Sequence, residues 1–226
     1  MEKISHFIDG KIYSVSSSRT GSVFNPAIGQ QIAEVELASK DTVKLAVNSA
    51  SKAYLKWSKT TPISRSRILE KYKSLVVKNM DELAELVSKQ HGKTIPDSKG
   101  SIQRGIEVVE YATGITSALK GEHSTSVGTN VDSHTLRQPL GVCAGITPFN
   151  FPAMVPMWMF PIAIACGNTF ILKPSEKDPS CPLKLAQLAV EAGIPPGVLN
   201  VVNGDKEAVD AILEDKNIQA VSFVGS

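Results

Sequence analysis

The chain has 226 residues, 42% of them hydrophobic, with 24 basic and 22 acidic side chains. This composition is typical of a globular protein with a sizeable core, and the nearly balanced charge, with no basic block among aromatics, excludes an evident nucleic-acid surface. The longest apolar stretch, residues 153–167, is shorter than the roughly 20 residues of a membrane span and contains two prolines, so we expect a core helix and no membrane partner.

The first 40 residues predict β-structure. MEKISHFIDG lacks the apolar segment of a secretion signal and is not rich in arginine, which favours a cytoplasmic protein. FIDGKI places Asp9 and Gly10 between apolar residues, a two-residue hairpin signal, and VFNPAIGQQIAEV repeats the pattern of strand, turn and strand.

Residues 41–119 predict a helical layer. Apolar residues at helical spacing follow Asp41, which we expect to cap the first helix. Further helices are predicted after Pro62, from Asp81 to Gly92, and after Pro96, the last one weakened by internal glycines.

Residues 124–138 are polar, rich in serine, threonine and valine, and interrupted by Gly128 and Asn130. They predict an exposed β-excursion, and a solvated loop is the alternative. Because an uncovered strand edge tends to pair with another chain, we take 124–140 as a candidate oligomerisation segment. The flanking ranges, 1–123 and 141–226, are then predicted to form one domain.

From residue 141 onward, short apolar strands alternate with helices. This pattern predicts an α/β fold, a Rossmann-like, doubly wound parallel sheet preceded by the N-terminal hairpins and the helical layer. Ligands of such sheets bind beyond the carboxyl ends of the strands. The turns at those ends are 147–150, 173–176, 203–204 and 225–226.

Lys173 and Glu176 form a charged pair just after a predicted strand, although no GxGxxG motif is present. Such a pair can hydrogen-bond the hydroxyls of a nucleotide ribose, and the carboxylate disfavours a 2′-phosphate. Two solvated loop charges are the alternative.

The remaining candidates for metal or thiol chemistry give little signal. The cysteines, Cys143, Cys166 and Cys181, lack CxxC spacing, and the four histidines are scattered. We therefore expect buried thiols and no metal site.

The segments FNFP, GNTFILKPSE, PPGVLNVVNG and FVGS occur in the order and at about the spacing found in the aldehyde dehydrogenase superfamily, which the chain resembles over essentially its whole length. The stretch from Phe149 to Glu176 is most similar to the methylmalonate-semialdehyde dehydrogenase branch, which transfers its acyl product to coenzyme A. The resemblance implies an NAD-binding domain, a semialdehyde substrate and a homo-oligomer, dimeric or tetrameric.

The resemblance also implies roles for individual residues at the strand ends. Thr147, Pro148 and Phe149 would line the nicotinamide half of NAD, and Lys173 and Glu176 would hold the adenosine ribose. Gly204 would allow the adenine to approach closely. Gly225 and Ser226 would receive the pyrophosphate.

Two further residues would serve the substrate. Asn150 matches the asparagine whose amide stabilises the oxyanion in this family, although from the sequence alone it can equally shape the turn before Pro152. Arg104 would bind the substrate carboxylate, and a solvated surface charge is the alternative.

The nucleophilic cysteine of the family lies beyond FVGS, and none of the three cysteines here matches its motif. The resemblance therefore implies the NAD-binding front portion of an enzyme, incomplete at its C-terminus and without the catalytic domain. The alternatives are a catalytically silent nucleotide-binding or assembly module and a hydrolytic aldehyde dehydrogenase of other substrate.

Overall fold

The computed structural model describes residues 2–15 and 19–225. The strands are Glu2–Ile4 (β1), His6–Ile8 (β2), Lys11–Tyr13 (β3), Thr20–Asn25 (β4), Gln30–Glu36 (β5), His123–Gly128 (β6), Val131–His134 (β7), Val142–Ile146 (β8), Thr169–Lys173 (β9), Leu199–Val201 (β10) and Ile218–Phe223 (β11). The helices are Lys40–Trp57 (α1), Pro62–Lys78 (α2), Met80–His91 (α3), Ile95–Thr113 (α4), Ile115–Ala118 (α5), Met154–Ala165 (α6), Ser180–Glu191 (α7) and Lys206–Glu214 (α8).

The central sheet has the strand order β11-β8-β9-β10-β2-β3. Its first four strands are parallel, and β2 and β3 continue the sheet in antiparallel pairing. Helices α1 and α8 pack on one face around Val47, Ile171 and Ile212. The opposite face is covered by α6 and α7 with α2, α3 and α4 behind them, in one continuous core that includes Phe160 and Leu185. The predicted doubly wound sheet with an added helical layer is therefore confirmed.

Both predicted N-terminal hairpins are present. Asp9 and Gly10 have φ angles of 55° and 74°, the left-handed conformation that a two-residue hairpin turn requires, and they join β2 to β3. Strands β4 and β5 form the second hairpin. The sequence did not predict that β1 pairs in parallel with β5 in a separate three-stranded sheet.

The first helix begins earlier than its sequence predicted. Ser39 is its N-cap, and the Ser39 hydroxyl accepts a hydrogen bond from the Thr42 N–H at 3.3 Å. Asp41 lies in the first turn, where a carboxylate is favourable to the helix dipole, so its expected capping role was wrong.

The apolar stretch at 153–167 forms the buried helix α6. Trp57 Nε1 donates to the Ile164 carbonyl at 3.0 Å, and Arg65 Nε donates to the Ala165 carbonyl at 2.8 Å, so the last carbonyls of the helix are paired inside the protein. Within residues 2–15 and 19–225, no helix is both long and apolar enough to cross a membrane.

Strands β6 and β7 form a hairpin of their own in which every residue is exposed. The predicted excursion is thus a β-structure, and it begins at His123, one residue before the predicted start.

Candidate functional site

The parallel strands bring the predicted turns to one edge of the central sheet. Backbone hydrogen bonds tie neighbouring strand ends together: Thr147 N–H to Lys173 O at 3.1 Å, Val202 N–H to Leu172 O at 2.9 Å, and Val224 N–H to Ile146 O at 3.1 Å. In the strand order β11-β8-β9-β10, the turns therefore lie side by side at the carboxyl ends of the strands, where α/β sheets bind ligands. Ser226 lies outside the described residues.

Lys173 connects two of these turns. Its ammonium is buried and donates to the Pro174 carbonyl at 2.9 Å and to the Gly204 carbonyl at 2.8 Å. The Glu176 carboxylate lies 3.8 Å away and is about one third exposed. Burial lowers the pKa of Lys173, and the charge of Glu176 acts in the opposite direction. Because an ammonium has three protons, one remains for a further acceptor beside Glu176.

Glycine is required by packing at position 204. A Cβ there would lie 2.4 Å from the Cβ of Ala208 in α8, a separation that no two such carbons tolerate. The turn therefore lies directly against the first turns of α8, whose N-cap is Asp205. Gly225 follows β11 and would place a Cβ 2.9 Å from the ring of Phe223.

The turn between β8 and α6 carries the predicted nicotinamide and oxyanion residues. Thr147 is buried, and its hydroxyl has no hydrogen-bond partner among the described residues. Pro148 is half-buried, and Phe149 and Asn150 are exposed. Asn150 is thus accessible to solvent, at the same edge of the sheet as Lys173 and Gly204.

No sequence signal indicated the segment that holds this turn, residues 91–93, which form the last residue of α3 and the start of the linker to α4. The His91 ring stacks on the Phe149 ring with centroids 4.6 Å apart and planes inclined by 23°. Lys93 Nζ donates to the Asn150 carbonyl and lies 3.8 Å from the centroid of the Phe151 ring. No local motif could have revealed these contacts, because Lys93 and Asn150 are 57 positions apart.

Arg104 is exposed on α4, the helix that packs against α6. Burial lowers the pKa of Lys93, and the positive charge of Arg104 lowers it further.

The site also includes one buried acid that the sequence did not single out. Asp178 is 1% exposed, and its carboxyl group is buried next to the Ser175 hydroxyl. Burial raises its pKa to about 8, and the charge of Lys93 partly opposes this effect.

The cysteines do not supply a nucleophile here. Cys143 and Cys181 are buried and Cys166 is half-buried, and burial raises the pKa of all three thiols. A catalytic thiolate needs the opposite shift. The described residues also contain no group of three or more His, Cys, Asp or Glu side chains able to hold a metal ion.

Comparisons with known proteins show which family this chain belongs to. The model of the aldehyde dehydrogenase family matches residues 13–226. The malonate-semialdehyde dehydrogenase of Pseudomonas aeruginosa is 51% identical over 226 residues, which are 100% of this chain and 45% of the relative. A second relative, from Dictyostelium discoideum, is described as a probable mitochondrial methylmalonate-semialdehyde/malonate-semialdehyde dehydrogenase of the acylating type. It is 50% identical over 220 residues, and the match covers 97% of this chain and 42% of the relative.

Among solved structures, a protein from Sinorhizobium meliloti 1021 assigned as a methylmalonate-semialdehyde dehydrogenase and complexed with NAD matches with a TM-score of 0.98 and 55% identity. The match covers 100% of this chain and 46% of that chain. The chain thus spans about half the length of the relatives it matches. The extent of the family match and the fold together establish that this chain belongs to the aldehyde dehydrogenase family.

Proposed function

We propose that this chain supplies the NAD-binding part and the oxyanion donor of a CoA-acylating methylmalonate- or malonate-semialdehyde dehydrogenase. The observation that carries the proposal is the alignment of Lys173, Glu176 and Gly204 with the exposed Asn150 at one edge of the parallel sheet. The names of the relatives support the substrate class, and the acylating relative supports coenzyme A as co-substrate.

The residues at the strand ends fit NAD. Lys173 has one uncommitted proton beside the Glu176 carboxylate, so a donor and an acceptor face the same space, as a ribose diol requires. Gly204 keeps the neighbouring backbone free of a side chain, and the Glu176 charge disfavours a 2′-phosphate. In the proposed complex, Thr147, Pro148 and Phe149 would contact the nicotinamide half of NAD. Gly225 and Ser226 would contact the pyrophosphate. NAD held there would supply the hydride acceptor for the oxidation.

Asn150 is the proposed catalytic residue of this chain. When a thiolate adds to the aldehyde carbon, the carbonyl oxygen becomes negatively charged, and a fixed amide N–H stabilises that charge. The attacking thiolate is none of the three cysteines present here, so in the proposal it belongs to another part of the full-length protein. Coenzyme A then takes the acyl group from the enzyme sulfur as propionyl-CoA or acetyl-CoA, after loss of the substrate carboxylate as carbon dioxide.

The remaining assignments are part of the same proposal. Arg104, exposed on α4, binds the carboxylate of the semialdehyde. The exposed hairpin of β6 and β7 contacts a second copy in a cytoplasmic homo-oligomer, because its strands have uncovered edges.

The test is the variant Asn150→Ala in the full-length protein, assayed by single-turnover NADH formation from methylmalonate semialdehyde. Loss of one oxyanion donor should lower the rate about 100-fold or more. Asn48→Ala, at an exposed position of α1, is the matched control and should react like the unmodified protein. An unchanged rate in Asn150→Ala would remove this residue from the chemistry.

A second assay leaves out coenzyme A. The acylating enzyme should then form NADH in the first turnover and stop, because its acyl group has no acceptor. Continued turnover without coenzyme A would assign the protein to the hydrolytic aldehyde dehydrogenases instead.

A further inference from the structure

Residues 91–93, the end of α3 and the start of the linker to α4, contact three successive residues of the turn that follows β8. His91 stacks on Phe149, Lys93 Nζ donates to the Asn150 carbonyl, and the same ammonium lies over the Phe151 ring. A single surface contact would carry little weight, but a stack, a charge-assisted hydrogen bond and a cation–π contact act here on consecutive residues.

The linker itself is held in one conformation. Gly92 ends α3 in the left-handed region with φ of 90°, and its N–H donates to the Ser88 carbonyl at 2.9 Å. A Cβ at Gly92 would lie 2.8 Å from Pro26 Cγ, so a bulkier residue is excluded as well. Thr94 is the N-cap of the next helix, its hydroxyl accepting from the Asp97 N–H at 3.3 Å. Lys93 therefore starts from a fixed backbone position between two capped helices.

Burial and nearby charges act on the Lys93 ammonium in opposite directions. Burial lowers its pKa, and the carboxylate of the exposed Asp97 opposes this shift. The positive charge of the exposed Arg104 lowers the pKa further. The contacts that hold the Lys93 ammonium in place are therefore the Asn150 carbonyl and the Phe151 ring.

We propose that Lys93 is a positioning residue that fixes the Asn150 side-chain amide for oxyanion stabilisation by holding the backbone carbonyl of the same residue. The inference rests on the proposed role of Asn150. The Asn150 carbonyl and side-chain amide share one Cα, so holding the carbonyl and the neighbouring Phe151 ring restricts the direction in which the amide can point. A donor displaced by about 1 Å loses much of its effect on the transition state.

The first experiment uses Lys93→Met in the full-length protein, with single-turnover NADH formation as the readout. The methionine keeps much of the side-chain length but has neither charge nor donor, and we expect the rate to fall about 10- to 100-fold. The Kd for NAD should stay within about 2-fold of the unmodified value, because the ribose contacts are at Lys173 and Glu176. Lys89→Met, at an exposed position of the preceding helix, makes the same chemical change and should leave the rate unchanged.

The decisive experiment combines Lys93→Met with Asn150→Ala. If Lys93 acts through Asn150, the double variant should react at the rate of Asn150→Ala alone, because the amide to be positioned is gone. Multiplication of the two losses would overturn the inference, and so would an unchanged rate in Lys93→Met. If Asn150→Ala alone has no effect on the rate, the proposed role of Asn150 is wrong. That result differs from the two outcomes that contradict only the role of Lys93.

Two further measurements exclude other roles for this lysine. Lys93→Arg keeps a cation and donors and should recover most of the rate. The loss in Lys93→Met should be equal for methylmalonate semialdehyde and for uncharged propanal, whereas a loss confined to the semialdehyde would make Lys93 a binder of the substrate carboxylate. Should the methionine variant fail to fold, Lys93→Gln, which removes the charge and shortens the side chain, carries the same expectations.

Discussion

His6 connects the N-terminal strand β2 to the turn at Gly204. The His6 side chain is fully buried, and its Nδ1 accepts a hydrogen bond from the Asn203 N–H at 3.1 Å. The proton of the neutral ring must therefore be on Nε2, which lies 4.0 Å from a carboxylate oxygen of Glu36. Burial lowers the pKa of His6 to about 4, and the charge of Glu36 only partly opposes the shift. The turn beside Lys173 thus depends on a histidine that stays neutral.

This shifted pKa predicts a loss of stability in acid. As pH falls below about 6.5, the unfolded chain takes up a proton at His6 before the folded protein does, so stability decreases until the folded pKa near 4 is reached. Between about pH 7 and pH 4.5 this costs roughly 2–3 kcal/mol. His6→Asn keeps an acceptor for the Asn203 N–H but does not titrate. We therefore expect the unfolding free energy of His6→Asn, measured in urea relative to the unmodified protein, to increase by that amount over the same pH range.

The exposed His134 in β7 is the matched control. His134→Asn should leave the pH dependence of stability as it is in the unmodified protein. If His6→Asn and the unmodified protein lose stability in parallel on acidification, the buried histidine is not the titrating group.

At the scale of elements, the packing of α4 on α6 explains why α4 contains Gly105, although glycine has a low helix propensity. A Cβ at Gly105 would lie 2.3 Å from Met157 Cε and 3.1 Å from Met157 Cβ. Met157 is fully buried, so it has little room to move. Gly105 therefore brings the helix that carries Arg104 close to the helix that follows the Asn150 turn.

Two glycines of the same helix should respond to alanine in opposite ways. Gly100 is exposed, with nothing within 4 Å of a Cβ, so Gly100→Ala should raise the unfolding free energy by about 0.5–1 kcal/mol through reduced backbone entropy. Gly105→Ala makes the same backbone gain, but overpacking against Met157 costs about 1–3 kcal/mol, and net destabilisation is expected. Urea unfolding of both variants measures the difference. Equal stabilisation by the two substitutions would contradict the close packing.

Most elements were predictable because their signals are local. Asp9-Gly10 marks a turn by its own conformational preference, and the regular alternation after residue 141 indicates a parallel sheet. The pairing of β1 with β5 was not predictable, because a three-residue strand has no distinctive pattern and its partner is about thirty positions away. The start of α1 was misplaced for a related reason, since Ser39 and Asp41 are both suitable N-caps and only the backbone conformation chooses between them.

At the scale of the whole molecule, one part of the candidate site was predictable from the sequence and another part was not. The turns around Asn150, Lys173 and Gly204 follow from the rule that parallel strands end at one edge, so the sequence placed them together. The contacts of His91 and Lys93 arise only when the helical layer docks on the sheet. Tertiary contacts of that kind have no signature in a single sequence.

The 226-residue chain by itself should not oxidise aldehydes. The proposed reaction needs a thiolate, and burial raises the pKa of Cys143, Cys166 and Cys181, so each thiol is protonated at neutral pH. Supplied with NAD, coenzyme A and methylmalonate semialdehyde, this chain alone should form no NADH above the rate without protein, whereas the full-length protein should be active. A thiol reagent should modify Cys181 only after unfolding, because this side chain is 1% exposed. Turnover by the chain that disappears in Cys143→Ala, Cys166→Ala or Cys181→Ala would show that one of these sulfurs attacks the aldehyde, and that the chain holds its own nucleophile.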